Sequence, residues 1–168
     1  RSFFQALGRD FILAGGLEEI VKLVIIVVIL LIFRKKVKNV YEYILIGACV
    51  GIGFTLIEEF TYSAADDANI VSTIGRLISV PAHMTLNMVM AEFLGRAKLS
   101  KLTGKGSTVL NYVLALLVPM VIHTLYDVST AFNPSLMRGE VKGMIIAQIG
   151  YVCLLVYELV VLLRCKKK

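Results

Sequence analysis

Five apolar runs, each about as long as a bilayer core is thick, constrain this chain more than any other feature. They lie near 11–33, 41–62, 74–95, 109–127 and 143–163. About 20 residues of helix, at a rise of 1.5 Å each, cover the roughly 30 Å hydrocarbon core. A backbone in lipid has no water to bond with, so it crosses either as a helix or as part of a closed barrel. Barrel strands alternate apolar and polar residues over about ten positions, whereas these runs are continuous. The expectation is an all-α, polytopic transmembrane bundle of about five spans, forming one domain over 1–168. Residues 1–10, with Phe3, Phe4, Leu7 and Phe11 near helical spacing, read as an interfacial lead-in. Composition agrees: 58% of residues are hydrophobic, and the mean hydropathy is +0.81.

The formal charge is +6, but it does not point to nucleic acid. The basic residues fall in short blocks, 34–38, 96–105 and 164–168, each directly after an apolar run. That is the positive-inside pattern. It predicts a plasma-membrane protein with a cytoplasmic C-terminus and with loops 63–73 and 128–142 outside. The first span then starts outside, which predicts a segment upstream of Arg1 or a re-entrant start. The three cysteines, Cys49, Cys153 and Cys165, form no C-x-x-C pair and read as reduced packing residues.

Against this apolar background the ionisable residues stand out. A charge at the bilayer centre costs about 2.5–3.5 kcal/mol on insertion scales, and such residues mark function by default. Measured from the outer helix ends at 1.5 Å per residue, Glu18 lies about 10 Å deep, Glu58 about 6 Å, His83 about 13 Å and His123 about 6 Å. Two acids and two histidines on four different runs thus share a level in the outer half of the bilayer. Each has companions at helical spacing. Glu18 can pair with Lys22, with Glu19 adjacent; His83 shares a face with Arg76 and Asn87; His123 and Asp127 are one turn apart, so the carboxylate can orient the ring. Gly47, Gly51, Phe54, Glu58 and Tyr62 share one face of the second run, and the small residues there permit close helix approach. Pro81 and Pro119 precede the histidines and predict kinks beside a polar cavity. Glu42, Glu92 and Glu158 lie nearer the cytoplasmic side and read as structural.

Carboxylate and imidazole groups around an open position suit a divalent metal, zinc above all, and a further glutamate can take a proton from water. The expected ligands are Glu58, His83 and His123. Hydrolysis of a peptide bond inside the membrane is the chemistry such a site supports. An ion or proton transporter could use the same groups, as could a non-catalytic scaffold. A transporter would be favoured by inverted repeats, and none is visible. No H-E-x-x-H occurs, so this is not the zincin arrangement.

These residues also resemble a known family. Glu18-Glu19-Ile20-Val21-Lys22 is similar to the E-E-x-x-K motif of the PrsW family of intramembrane proteases. Gly51-Ile52-Gly53-Phe54, followed by Glu58 and Tyr62, resembles its glycine-rich segment. His83, placed after Arg76 and Pro81 and before Gly95, is similar to its third motif, and His123 to its last. Glu59 departs from the family, which often has Asn there. More distantly, His83-x-x-x-Asn87 and His123-x-x-x-Asp127 resemble the closing motif of the Abi and CAAX-protease superfamily. The resemblance covers about residues 15–127. It implies cleavage of membrane-anchored protein substrates on the outer side, with an anti-sigma factor as the substrate type. Through the CAAX branch it implies Glu18 as the residue that activates water, with Glu19 supporting it. Asn87 and Asp127 are expected to back the histidines and Lys22 to pair with Glu18.

Overall fold

The computed structural model describes residues 8, 11–65, 79–131 and 137–166. Arg76, the side chain of Tyr62, residues 66–73 and 132–136 of the two expected outer loops and, Gly8 aside, the lead-in fall outside these residues. Among the described residues the chain is helical, with no strand. A π-helical segment, Phe11–Glu18, runs directly into α1 (Glu19–Ile32). Four helices follow: α2 (Val40–Ala65), α3 (Ser79–Thr103), α4 (Thr108–Ala131) and α5 (Met137–Lys166).

The helix ends follow local chemistry. α2 starts at a reciprocal cap. The Glu42 N–H donates to Asn39 Oδ1 (3.0 Å), while the Asn39 N–H donates to Glu42 Oε2 (3.2 Å), so two otherwise orphaned donors are satisfied. α3 runs eight residues past the expected end at 95, so much of the second basic block is helix rather than loop. Lys, Leu and Ala are good helix formers, and Ala97 and Ser100 keep one face buried. The helix closes where the Gly104 N–H donates to the Ser100 carbonyl (2.9 Å). Pro81 lies in the first described turn of α3, where a missing N–H does no harm. Pro119 is inside α4, one turn before His123.

Among the described residues, two helices, Val40–Thr61 within α2 and Thr108–Leu125 within α4, are long and apolar enough to cross a membrane. Of the other expected spans, α1 is short of that length at 14 residues, and for α3 burial explains the difference. α3 is the most enclosed helix, with Ala82, Leu86, Met88, Val89, Met90, Ala91 and Leu94 all buried. It also carries the buried polar residues His83, Thr85, Asn87 and Glu92. A helix surrounded by other helices needs no apolar outer face. The apolar core joins Ile26, Val37, Tyr43, Val50, Met90, Ala91, Leu94 and Ala115. Large apolar side chains such as Ile57, Phe60, Leu110 and Val113 face outward. The cysteines are free, but Cys49 and Cys153 are exposed rather than packed.

Close approach of α2 and α3 depends on two glycines. A Cβ on Gly47 would lie 2.2 Å from the Asn87 carbonyl oxygen, and one on Gly51 would lie 2.5 Å from that of His83. Backbone cannot retreat as a side-chain tip can, so these positions admit no side chain without separating the helices. One turn on from Gly51, Thr55 is fully buried and its hydroxyl donates to the Gly51 carbonyl (3.0 Å). The register thus carries His83 alongside the part of α2 that leads to Phe54 and Glu58. The π-helical segment meets α4 in the same way, since a Cβ on Gly15 would strike Thr124 Oγ1 and the Met120 carbonyl.

Candidate functional site

These contacts bring residues from four helices together. The π-helical segment ends on Glu18 and α1 begins on Glu19, so the junction of two helical geometries falls between the paired acids. π-turns within helices are frequent at functional sites. Glu19 and Lys22 are fully buried, as are His83 and His123 but for a few per cent. Glu18 and Glu58 keep 30% and 25% of their side chains exposed, so the cluster has sealed members and accessible ones.

Glu19 is the hub. Its Oε1 accepts from Lys22 Nζ (2.7 Å) and from His123 Nδ1 (2.8 Å), and its Oε2 is buried without a hydrogen-bond partner. Lys22 Nζ also lies 3.3 Å from Glu18 Oε2 and 3.0 Å from His83 Nδ1, and it sits 4.1 Å from the centroid of the Phe54 ring. A buried ammonium is therefore balanced by two carboxylates, an imidazole lone pair and an aromatic face. Phe54 also packs against His83, with ring centroids 5.6 Å apart, and the two imidazoles meet edge to face at 5.1 Å.

His83 Nε2 lies 3.0 Å from Glu58 Oε2. The two do not line up as a directed hydrogen bond, and this oxygen is buried without such a partner. His123 Nε2 faces Asp127 Oδ2 at 3.5 Å and Glu18 Oε2 at 4.0 Å. Asn87, one turn on from His83, donates from Nδ2 to the backbone carbonyl of that residue (2.8 Å). Among the described residues, the carboxylate and imidazole donors that converge are those of Glu18, His83 and His123, all within 4.8 Å of one another. Glu58 lies beside His83 at the edge of this group.

Phe54, which supports both Lys22 and His83, was not singled out as a site residue on sequence grounds. Its position one turn before Glu58 was the available signal. The hold of Glu19 on His123, across 104 residues of chain, had no local signal at all. An apolar groove of about 450 Å³ runs along α4 from Val109 to Met120.

A profile described as PrsW family intramembrane metalloprotease matches residues 2–161. The chain is 30% identical over 131 residues to Protease PrsW of Halalkalibacterium halodurans, an alignment covering 74% of this chain and 55% of that protein. The chain thus spans about half the length of the relative it matches. No solved structure matches it.

Proposed function

Because this chain belongs to the PrsW family of intramembrane metalloproteases, we propose that it hydrolyses peptide bonds of membrane-anchored proteins within the membrane. The observation that carries the reading is the convergence of Glu18, His83 and His123 beside a second acid, Glu58. Five crossings, an outer-side site in the plasma membrane, a cytoplasmic C-terminus, an anti-sigma-factor-like substrate and kinship with the Abi and CAAX proteases belong to the same proposal.

The residues present suit a divalent ion, with zinc first. Two imidazoles and a carboxylate are a common catalytic donor set, and zinc bonds of about 2.0–2.2 Å put donors about 3.3–3.5 Å apart. The cluster is somewhat more open than that. Glu18, His83 and His123 would hold the ion. When bound, it would polarise water and the scissile carbonyl as a Lewis acid. This division differs from the one expected from sequence, which set Glu58 among the ligands and Glu18 as the base. Glu58, whose Oε2 lies 3.0 Å from His83 Nε2 and whose side chain is a quarter exposed, accepts the proton of the attacking water. Glu19 holds the His123 ring through Nδ1, and Asp127 and Asn87 support the two histidines.

Lys22 favours a second reading, without a metal. Its ammonium already brings a positive charge to Glu18 and His83. In that case Glu18 activates water and the imidazoles stabilise the oxyanion by hydrogen bonds.

Purified protein, a panel of single-span substrates and elemental analysis test these statements together. The metal reading expects about one divalent ion per chain, and removal by a chelator should abolish cleavage. Glu58→Gln should keep the ion and lose cleavage, whereas Glu18→Gln and His123→Ala should lose both. If Glu18→Gln keeps the ion and Glu58→Gln loses it, the two acids exchange roles. Full cleavage without stoichiometric metal supports the second reading, and ion flux with no cleavage of any substrate overturns both.

A further inference from the structure

The two histidines in the cluster are the only two in the chain, and their δ nitrogens meet opposite partners. His123 Nδ1 lies 2.8 Å from Glu19 Oε1, an oxygen that also accepts from the Lys22 ammonium at 2.7 Å. An oxygen already accepting from an ammonium accepts from the ring as well, so His123 carries a proton on Nδ1. His83 Nδ1 lies 3.0 Å from Lys22 Nζ. An ammonium has three N–H groups and no lone pair, so this nitrogen is the acceptor and is bare. A neutral ring then carries its proton on Nε2, the nitrogen that faces Glu58 at 3.0 Å.

The position of Lys22 leaves little freedom. Its side chain is fully buried, its three N–H groups are matched by Glu19, Glu18 and His83, and the Phe54 face closes the remaining side. A partner on one nitrogen of a histidine decides which nitrogen is free for chemistry. We propose that Lys22 is a positioning residue that fixes the ion-free site with His83 as the Nε2–H tautomer, while Glu19 fixes the opposite choice at Nδ1 of His123. Two otherwise equivalent imidazoles are thereby made unequal. His83 presents a donor toward the accessible side, where Glu58 lies and where a substrate carbonyl would come. An ion that binds His83 must either displace Lys22 from Nδ1 or remove the proton from Nε2.

This takes from the proposed function only that the cluster is the reacting site, and its test does not use cleavage. Chelator-treated protein with ¹⁵N-labelled histidine has four ring nitrogens, and a bare ring nitrogen resonates far downfield of a protonated one. The expected spectrum has a bare δ nitrogen on His83 and a protonated δ nitrogen on His123, assigned with His123→Gln. Lys22→Met should move His83 toward the Nδ1–H tautomer and leave Nδ1 of His123 protonated. Lys22→Arg, which keeps a donor, should restore the bare nitrogen. A protonated Nδ1 on His83 in the unaltered protein, or a folded Lys22→Met protein with His83 unchanged, overturns the proposal. If Lys22→Met does not fold, the spectrum of the unaltered protein and of Lys22→Arg still decides.

Discussion

Two buried polar clusters lie on α3, roughly 13 Å apart along its axis, and they differ in accessibility. The first, around His83, joins α1 to α4. The second joins α3 to α5. There the Arg96 guanidinium chelates Glu92, with Nε at 2.6 Å from Oε1 and Nη2 also close; the Tyr157 hydroxyl donates to the same oxygen at 3.3 Å and accepts from Arg96 at 3.1 Å. Glu158 is fully buried and lies within hydrogen-bonding reach of Glu92, so the two carboxyls can share a proton. Both acids of this second cluster are sealed. In the first cluster the hub is sealed, but Glu18 and Glu58 reach the surface. Burial of charge is thus no mark of chemistry by itself. Sealed groups holding accessible ones in place is the arrangement a reacting site needs.

The comparison can be broken in four places. The largest effect expected is on cleavage. His83→Ala, which removes a proposed ligand, should abolish it and Glu58→Gln, which removes the proposed base, should lower it by about 10²–10⁴-fold, the range for loss of a proton-transferring group, while Glu92→Gln should stay within a few-fold. An assay on one single-span substrate compares all three, and equal losses would erase the distinction. Next is stability. Lys22→Met strands Glu19, and breaking a buried pair costs about 3–5 kcal/mol, read as a fall in the thermal midpoint in detergent. Gly47→Ala should cost about 1–3 kcal/mol through overpacking against the Asn87 carbonyl. It should also lower cleavage, since it moves α3 and His83 away from α2. The smallest effect is at Glu158→Gln. A glutamine keeps the volume and can still donate to Glu92, so the change in stability should stay within about 1 kcal/mol, with cleavage unaltered.

The helices were legible because continuous apolar runs admit only one regular structure in lipid. Their ends were less so. The chain runs helically through 96–103 because Ala97 and Ser100 still face the core, a fact of packing that the basic residues around them conceal. Glu18, Glu58, His83 and His123 could be singled out because each is expensive in an apolar run and all four fell at one calculated depth. Their partners could not. Helical spacing shows only neighbours on one helix, such as Lys22 beside Glu18. The bonds from Glu19 to His123 and from Lys22 to His83 span 104 and 61 residues. Spacing therefore offered Asp127 for orienting His123, whereas the closer contact is Glu19 at 2.8 Å against 3.5 Å for Asp127.

The polar character of α1 bears on how the protein is made. A segment carrying Glu18, Glu19 and Lys22 partitions poorly into lipid by itself, since each charge at the centre of a span costs about 2.5–3.5 kcal/mol. α2 and α4 pass the test of length and apolarity unaided. Lys22 cancels part of the cost by pairing with Glu19, but His123, which completes the hub, is synthesised 104 residues later. If α1 crosses the bilayer as proposed, it must wait during synthesis for α3 and α4 before it can settle. The order in which helices enter the bilayer need not follow their order in the chain.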